Sequence, residues 1–294
     1  MALSATILKT RTLTAIFFVG AMAGGLFLHP VSYLLLFLFL LVASWMEYAK
    51  LIDKIVPANT HPYLLLGWIL NGMALCLLLT SASFSIGGYA LRDNLILPLH
   101  LAGFILLIGG TFASKPLVAK HWWWLAAGNL YLTLPWALAL HLYGYGPLPV
   151  RDLFFSSSAW WVVVTIATMW TNDTLAYLLG SMIGRTPFSK ISPKKTWEGT
   201  LSGIVSATLL VGWGLDHFMD DADLSPWAGY VLVFLLAVAG TLGDLFESKL
   251  KRLAGVKDSG RLMPGHGGVL DRFDSLLLAL PVLFLFLRAL SLKY

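Results

Sequence analysis

A chain of 294 residues that is 58% hydrophobic and 12% charged, with mean hydropathy +0.78, carries more apolar surface than a soluble globule of that length can bury. Its single cysteine, Cys76, excludes an intrachain disulfide and a cysteine-built zinc centre, and its apolar surroundings read as packing. The formal net charge of +5 is informative through its placement rather than its size.

Crossing a bilayer takes about 17 to 25 apolar residues. Nine runs near that length are predicted, the first two short, at about residues 12–28, 31–46, 63–79, 95–113, 122–142, 159–183, 200–218, 227–246 and 269–290. The fold class is all-α, a polytopic transmembrane helical bundle, since a β-barrel would show short alternating segments instead. Lys9 and Arg11 ahead of an apolar run, followed by Ala21-Met22-Ala23, mimic a signal peptide, but the run continues to Leu28 and is expected to be an uncleaved first span. His29-Pro30 predicts a tight hairpin into the second span. Spans one to five carry few polar residues and read as a scaffold or as the wall of a lipid-accessible cavity. Within them, Glu47 beside Trp45 and Tyr48, and the run Trp122, Trp123 and Trp124, read as membrane-interface residues. The expected division is an N-terminal membrane scaffold over 1–158 and a C-terminal catalytic region over 159–294.

With the N-terminus in the cytoplasm, one set of loops holds Lys9, Arg11, Lys50, Lys54, Lys115, Lys120, Arg185, Lys190, Lys194, Lys195, Lys249, Lys251, Arg252, Lys257, Arg261 and Arg272, which is 16 of the 20 Lys and Arg. Arg92, Arg151, Arg288 and Lys293 lie on the other side. Excess Lys and Arg marks cytoplasmic loops, so this asymmetry orients the chain and leaves the C-terminus extracytoplasmic. The acidic loop with Asp216, Asp220, Asp221 and Asp223 reads as solvated.

Chemistry-bearing residues gather after Trp160. Asn172-Asp173-Thr174 interrupts span six, and a carboxylate inside a membrane helix is a functional candidate because burying it is costly. The loop from Gly184 to Gly199 is basic and rich in hydroxyls. Lys194 and Lys195 can neutralise phosphates there, and Ser192 and Thr196 can donate hydrogen bonds. The segment from Gly240 to Leu276 is the densest, with five carboxylates between two apolar runs. Asp244, Glu247, Ser248 and Lys251 have the spacing of one helix face, as do Asp271 and Asp274. Between them lie Lys257-Asp258-Ser259-Gly260 and Pro264-Gly265-His266-Gly267-Gly268. Acidic pairs at two helix ends suit a divalent cation, and the basic, glycine-rich stretch between them suits phosphates. Metal plus phosphate is the chemistry these residues imply.

The 27 positions from Ser248 to Asp274, with Gly243-Asp244-Leu245-Phe246-Glu247-Ser248 and Ser192-Pro193-Lys194-Lys195-Thr196-Trp197-Glu198-Gly199 upstream, resemble the motifs of phosphatidate cytidylyltransferases, also called CDP-diacylglycerol synthases. Met263 is a mild departure. The resemblance covers roughly the C-terminal half; the first five spans match only in being apolar. It implies a multi-pass enzyme of the cytoplasmic (inner) membrane, active on its cytoplasmic side, that converts CTP and phosphatidate to CDP-diacylglycerol and pyrophosphate with Mg²⁺. In that family a monovalent cation such as K⁺ can accompany the Mg²⁺. By the same resemblance Asp244 and Asp271, then Asp274, are the expected metal ligands, and Ser248, Lys257, Asp258 and His266 fall on motif positions.

In such a reaction one anionic phosphate attacks another phosphorus that is itself surrounded by negative charge. Positioning and charge screening matter more than a general base. Lys194, Lys195, Lys251, Arg252 and Lys257 are therefore candidates to screen CTP or the phosphatidate head. Asp173 is expected to orient a basic residue or to add a metal contact, and His266 to hold the loop or donate to a phosphate. The expected partners are the two substrates and the bilayer, with no nucleic acid and with a homodimer left open. Two other readings stand beside this one: CTP-dependent transfer to another lipid, of the CDP-archaeol synthase or polyprenol kinase type, and a transporter. The transporter is disfavoured because most of the carboxylates lie at span ends.

Overall fold

The computed structural model describes residues 5–57, 60–80, 85–86, 89–113, 119–143, 159–218, 225–262 and 267–291. Among these the chain is mostly helical, and it includes one two-residue antiparallel pair, β1 (Ser85–Ile86) with β2 (Tyr89–Ala90), and an isolated antiparallel bridge between Pro187 and Thr196. The helices are α1 (Ala5–Phe27), α2 (Pro30–Ile55), α3 (Pro62–Leu79), α4 (Leu91–Ala113), α5 (Ala119–Gly128), α6 (Leu134–Leu142), α7 (Trp160–Ile183), α8 (Trp197–Phe218), α9 (Pro226–Leu253) and α10 (Leu270–Ser291). A π-helical segment, Asn129–Thr133, joins α5 to α6, so that Lys120–Leu142 forms one crossing-length rod. Pro135 has no N–H to give the preceding turn, which favours the wider winding there.

Eight of these segments are long and apolar enough to cross a membrane, and α1 adds a shorter apolar stretch, Thr12–Phe27. The protein is a multi-pass membrane protein. All nine expected runs are helices, but α2 and α9 continue well past their apolar parts and carry Lys54 and Lys251-Arg252 on their last turns. The predicted hairpin is present. Pro30 opens α2, the His29 ring accepts from the Val31 N–H at 3.1 Å, and the Ser32 hydroxyl accepts from the His29 N–H at 3.1 Å. A proline at the first helical position costs no hydrogen bond, because the N–H it lacks would have no partner within the helix.

The chain divides into two compact units. One comprises Met1–Gly144 with Leu250–Phe273, and the other Tyr145–Lys249 with Asp274–Tyr294. In the first, α2 is the central element. Tyr33 donates to the Ala139 carbonyl at 2.6 Å, Trp45 Nε1 donates to Thr133 Oγ1 at 3.0 Å, and Tyr48 donates to the Trp124 carbonyl at 2.8 Å. Buried aromatic polar atoms need such partners when no water can reach them.

In the second unit, α7 and α8 pack through small residues. A side chain at Gly199 would run into the Ala176 carbonyl and Gly180, and one at Gly203 into the Asn172 carbonyl and Ala176. Small residues let membrane helices approach closely where lipid supplies no hydrophobic drive between them. Leucine at Gly203 is expected to destabilise the protein by about 1–3 kcal/mol or more, because the obstruction is backbone. Thermal unfolding in detergent checks this, and a midpoint equal to that of the parent would show that the helices can part without cost.

Candidate active site

The second unit gathers one set of predicted residues. Glu198, at the start of α8, accepts the Arg185 N–H at 3.1 Å and the Thr186 N–H at 3.1–3.2 Å. The 184–196 loop folds back on itself: Phe188 N–H donates to the Lys195 carbonyl at 2.8 Å, Trp197 N–H donates to the Thr186 carbonyl at 2.9 Å, and the Phe188 and Trp197 rings meet edge to face. The closed loop separates two lysines that are neighbours in sequence. Lys195 is half-buried and pairs with Asp244 on α9, whereas Lys194 is exposed. Asp173 on α7 interacts electrostatically with both Lys195 and Asp244. Lys195 therefore lies in direct contact with one carboxylate and in the field of a second.

Close packing holds this trio in place. Gly243, next to Asp244, lies against the Asp274 carbonyl and Ser275 of α10, and Gly240 lies against Met169 of α7. Asn172 Nδ2 reaches Thr241 Oγ1 at 3.4 Å. Asp274 is buried and its Oδ1 accepts the Ser275 N–H at 2.7 Å. Glu247 is fully buried on α9, and Ser248, one turn after Asp244, is half-buried.

The first unit gathers the other set. Asp271, in the first turn of α10, accepts from Lys251 Nζ at 2.7 Å through Oδ1. Its Oδ2 accepts the Ser259 N–H at 2.9 Å and the Gly268 N–H at 2.8 Å, with Ser259 Oγ at 3.0 Å. Gly267 has φ +90°, a left-handed conformation that favours glycine, and a Cβ there would press on Asp271 Oδ2 at 2.8 Å. Arg252, Lys257 and Asp258 are exposed. The expectations for His266 and Met263 lie outside the described residues.

One residue of this set was misread from the sequence. Glu47 is not an exposed interfacial side chain but a buried, hydrogen-bonded one. Only 5% exposed, it accepts the Val269 N–H at 3.0 Å and the Leu270 N–H at 2.9 Å, and it lies 2.9 Å from Ser259 Oγ. Trp45 and Tyr48 beside it are buried too. The signal was present: a carboxylate within an apolar run calls for a partner.

Among the described residues, no three His, Cys, Asp or Glu side chains gather as a ready-made metal cluster. The donors that could serve a cation are carboxylate oxygens, as a hard ion such as Mg²⁺ prefers. Asp244 and Asp271 each already lie against an ammonium, so both environments are organised for positive charge.

The sequence pattern of the Cytidylyltransferase family matches residues 9–290. The chain belongs to the cytidylyltransferase family. It is 31% identical over 284 residues to the phosphatidate cytidylyltransferase of Staphylococcus saprophyticus, covering 94% of this chain and 97% of that protein. The Staphylococcus haemolyticus protein of the same name is 32% identical over 286 residues, with the same coverage. The Helicobacter pylori phosphatidate cytidylyltransferase is 45% identical over 145 residues, covering 47% of this chain and 50% of its own length. Membership therefore extends over the apolar first half, where the sequence offered no motif.

Proposed function

We infer that this protein is a phosphatidate cytidylyltransferase, a membrane enzyme that makes CDP-diacylglycerol and pyrophosphate from CTP and phosphatidate. The observation that carries the reading is a family match over 9–290 that takes in both Lys–Asp pairs, Lys195–Asp244 and Lys251–Asp271.

In the reaction a phosphatidate oxygen forms a bond to the α-phosphorus of CTP as the α–β bridging bond breaks, and the electron pair leaves with pyrophosphate. The attacking oxygen is already ionised, so no side chain need remove a proton from it. The chain has to gather two polyanions and hold them in line. Exposed Lys194, Arg252 and Lys257 are the groups we assign to phosphate screening. Lys195 and Lys251 are held by Asp244 and Asp271, so their ammonium groups are placed before substrate arrives. Asp173 orients Lys195, and Ser248 and His266 are assigned to the site through their motif positions. Asp244, Asp271 and Asp274 are the residues assigned to Mg²⁺, which when bound would offset charge on the leaving pyrophosphate.

The Lys and Arg distribution supports a cytoplasmic N-terminus, an extracytoplasmic C-terminus and chemistry on the cytoplasmic face of the cytoplasmic membrane. The test is to incubate purified protein with CTP, phosphatidate and Mg²⁺ and identify both products. CDP-lipid with pyrophosphate is expected; a phosphorylated lipid with CDP would make the enzyme a kinase instead. Lys194→Ala is expected to raise the KM for CTP or phosphatidate about 10-fold, the worth of one hydrogen bond to a charged group. An unchanged KM for both would leave that lysine a topological charge only.

A further inference from the structure

Glu47 belongs to no motif, yet it holds together the segment that presents Asp271. It reaches Ser259 across 212 sequence positions and Leu270 across 223. Val269 and Leu270 lead into α10, where the first N–H groups of a helix have no acceptor of their own. The Glu47 carboxylate takes both and places negative charge at the positive end of the helix. Its reach extends to the donors that grip Asp271. Ser259, whose N–H donates to Asp271 Oδ2, lies with its hydroxyl between the two carboxylates, 2.9 Å from Glu47 and 3.0 Å from Asp271. A hydroxyl has one hydrogen to give, so Ser259 donates to one carboxylate at a time. Gly268, the other N–H donor to Asp271, directly precedes Val269. The motif glycines Gly260 and Gly268 also find a reason here: a Cβ at either position would collide with the Glu47 carboxylate.

We propose that Glu47 is a positioning residue for the reaction. It fixes the Ser259 segment and the first turn of α10, and through them the direction of the Asp271 carboxylate. The proposal rests on the reading of Asp271 as a residue of the reacting site. Glu47 itself touches neither substrate nor reacting atoms.

Glu47→Gln is the sharpest variant. It keeps size and shape but turns an amide NH₂ toward a backbone N–H that needs an acceptor. Glu47→Asp keeps the charge one carbon short, and Glu47→Ala removes the group. The measurements are kcat and KM for both substrates, the Mg²⁺ midpoint, the melting temperature in detergent, and amide hydrogen exchange at Ser259 and Gly268 without substrates. For Glu47→Gln the expected result is a kcat lowered 10- to 100-fold, the range usual for groups that orient a ligating side chain. The KM values should change less than threefold, the Mg²⁺ midpoint should rise, and exchange at the two amides should be at least tenfold faster. Glu47→Asp should recover part of the rate. Glu47→Gln with Ser259→Ala should lose less than the product of the single losses, because both act on one carboxylate.

A merely structural glutamate would lower the melting temperature while leaving kcat per folded molecule unchanged, and that result overturns the proposal. So does parental exchange at Ser259 and Gly268, which is readable even in protein that turns nothing over. If Glu47→Ala does not fold, Glu47→Gln and Glu47→Asp decide. A parent protein that forms no CDP-lipid refutes the assigned activity; an active parent with an unaffected Glu47→Gln refutes this role alone.

Discussion

Asp271→Ala will lower CDP-lipid formation by about 10³-fold, the upper range for removing one preorganised charge-stabilising group, while the protein still inserts in the membrane. Four donors grip the Asp271 side chain: Lys251 Nζ on one oxygen, two backbone N–H groups on the other, and the Ser259 hydroxyl beside them. Such a grip fixes a carboxylate in direction as well as in charge. Alanine also takes the carboxylate from a largely buried ammonium, a change that costs about 3–5 kcal/mol for a buried pair. The two consequences can be separated. Lys251→Met in the Asp271→Ala background should restore much of the melting temperature and none of the rate. Asp271→Asn should be nearly as inactive as alanine, because its amide nitrogen would face either Lys251 or the backbone N–H groups. Near-normal turnover in either single variant would remove Asp271 from the reaction.

The residues around Asp271 show how far a sequence can be read. Helices and their order follow from apolar runs, which are local properties, whereas the close contact of α7 with α8 at Gly199 and Gly203 appears only in the folded chain. Asp244, Lys195, Asp271 and Lys251 stood out because charge at span ends is conspicuous in so apolar a chain. Which lysine meets which aspartate did not follow, since Lys194 and Lys195 look alike until the loop closes on Glu198 and turns one inward. Glu47 was missed for a different physical reason. Flanked by Trp45 and Tyr48, it has the composition of a membrane interface, and only the folded chain brings the Val269 and Leu270 N–H groups to it. The same contact accounts for Gly260 and Gly268, where a Cβ would meet the Glu47 carboxylate, a requirement that only the folded chain shows.

Lys195→Met and Asp244→Asn will each lower kcat/KM by about 10²-fold or more, and the double variant will lose far less than the product of the two. In the second unit a single ammonium serves two carboxylates, Asp244 by direct contact and Asp173 through its field. Removing Lys195 leaves Asp173 and Asp244 without their shared counter-charge, and their repulsion should turn Asp244 away from its working direction. Removing the Asp244 charge instead releases Lys195 from its place beside α9. Once one member is gone the other has lost most of its purpose, which is why the losses should overlap. The lysine variant has a second signature. Two carboxylates without their ammonium form a more negative site, so Lys195→Met should regain rate as Mg²⁺ is raised, whereas Asp244→Asn should not. Rate losses that multiply, with no difference in the Mg²⁺ response, would mean that Lys195 and Asp244 act separately and that their ion pair has no part in ordering the site.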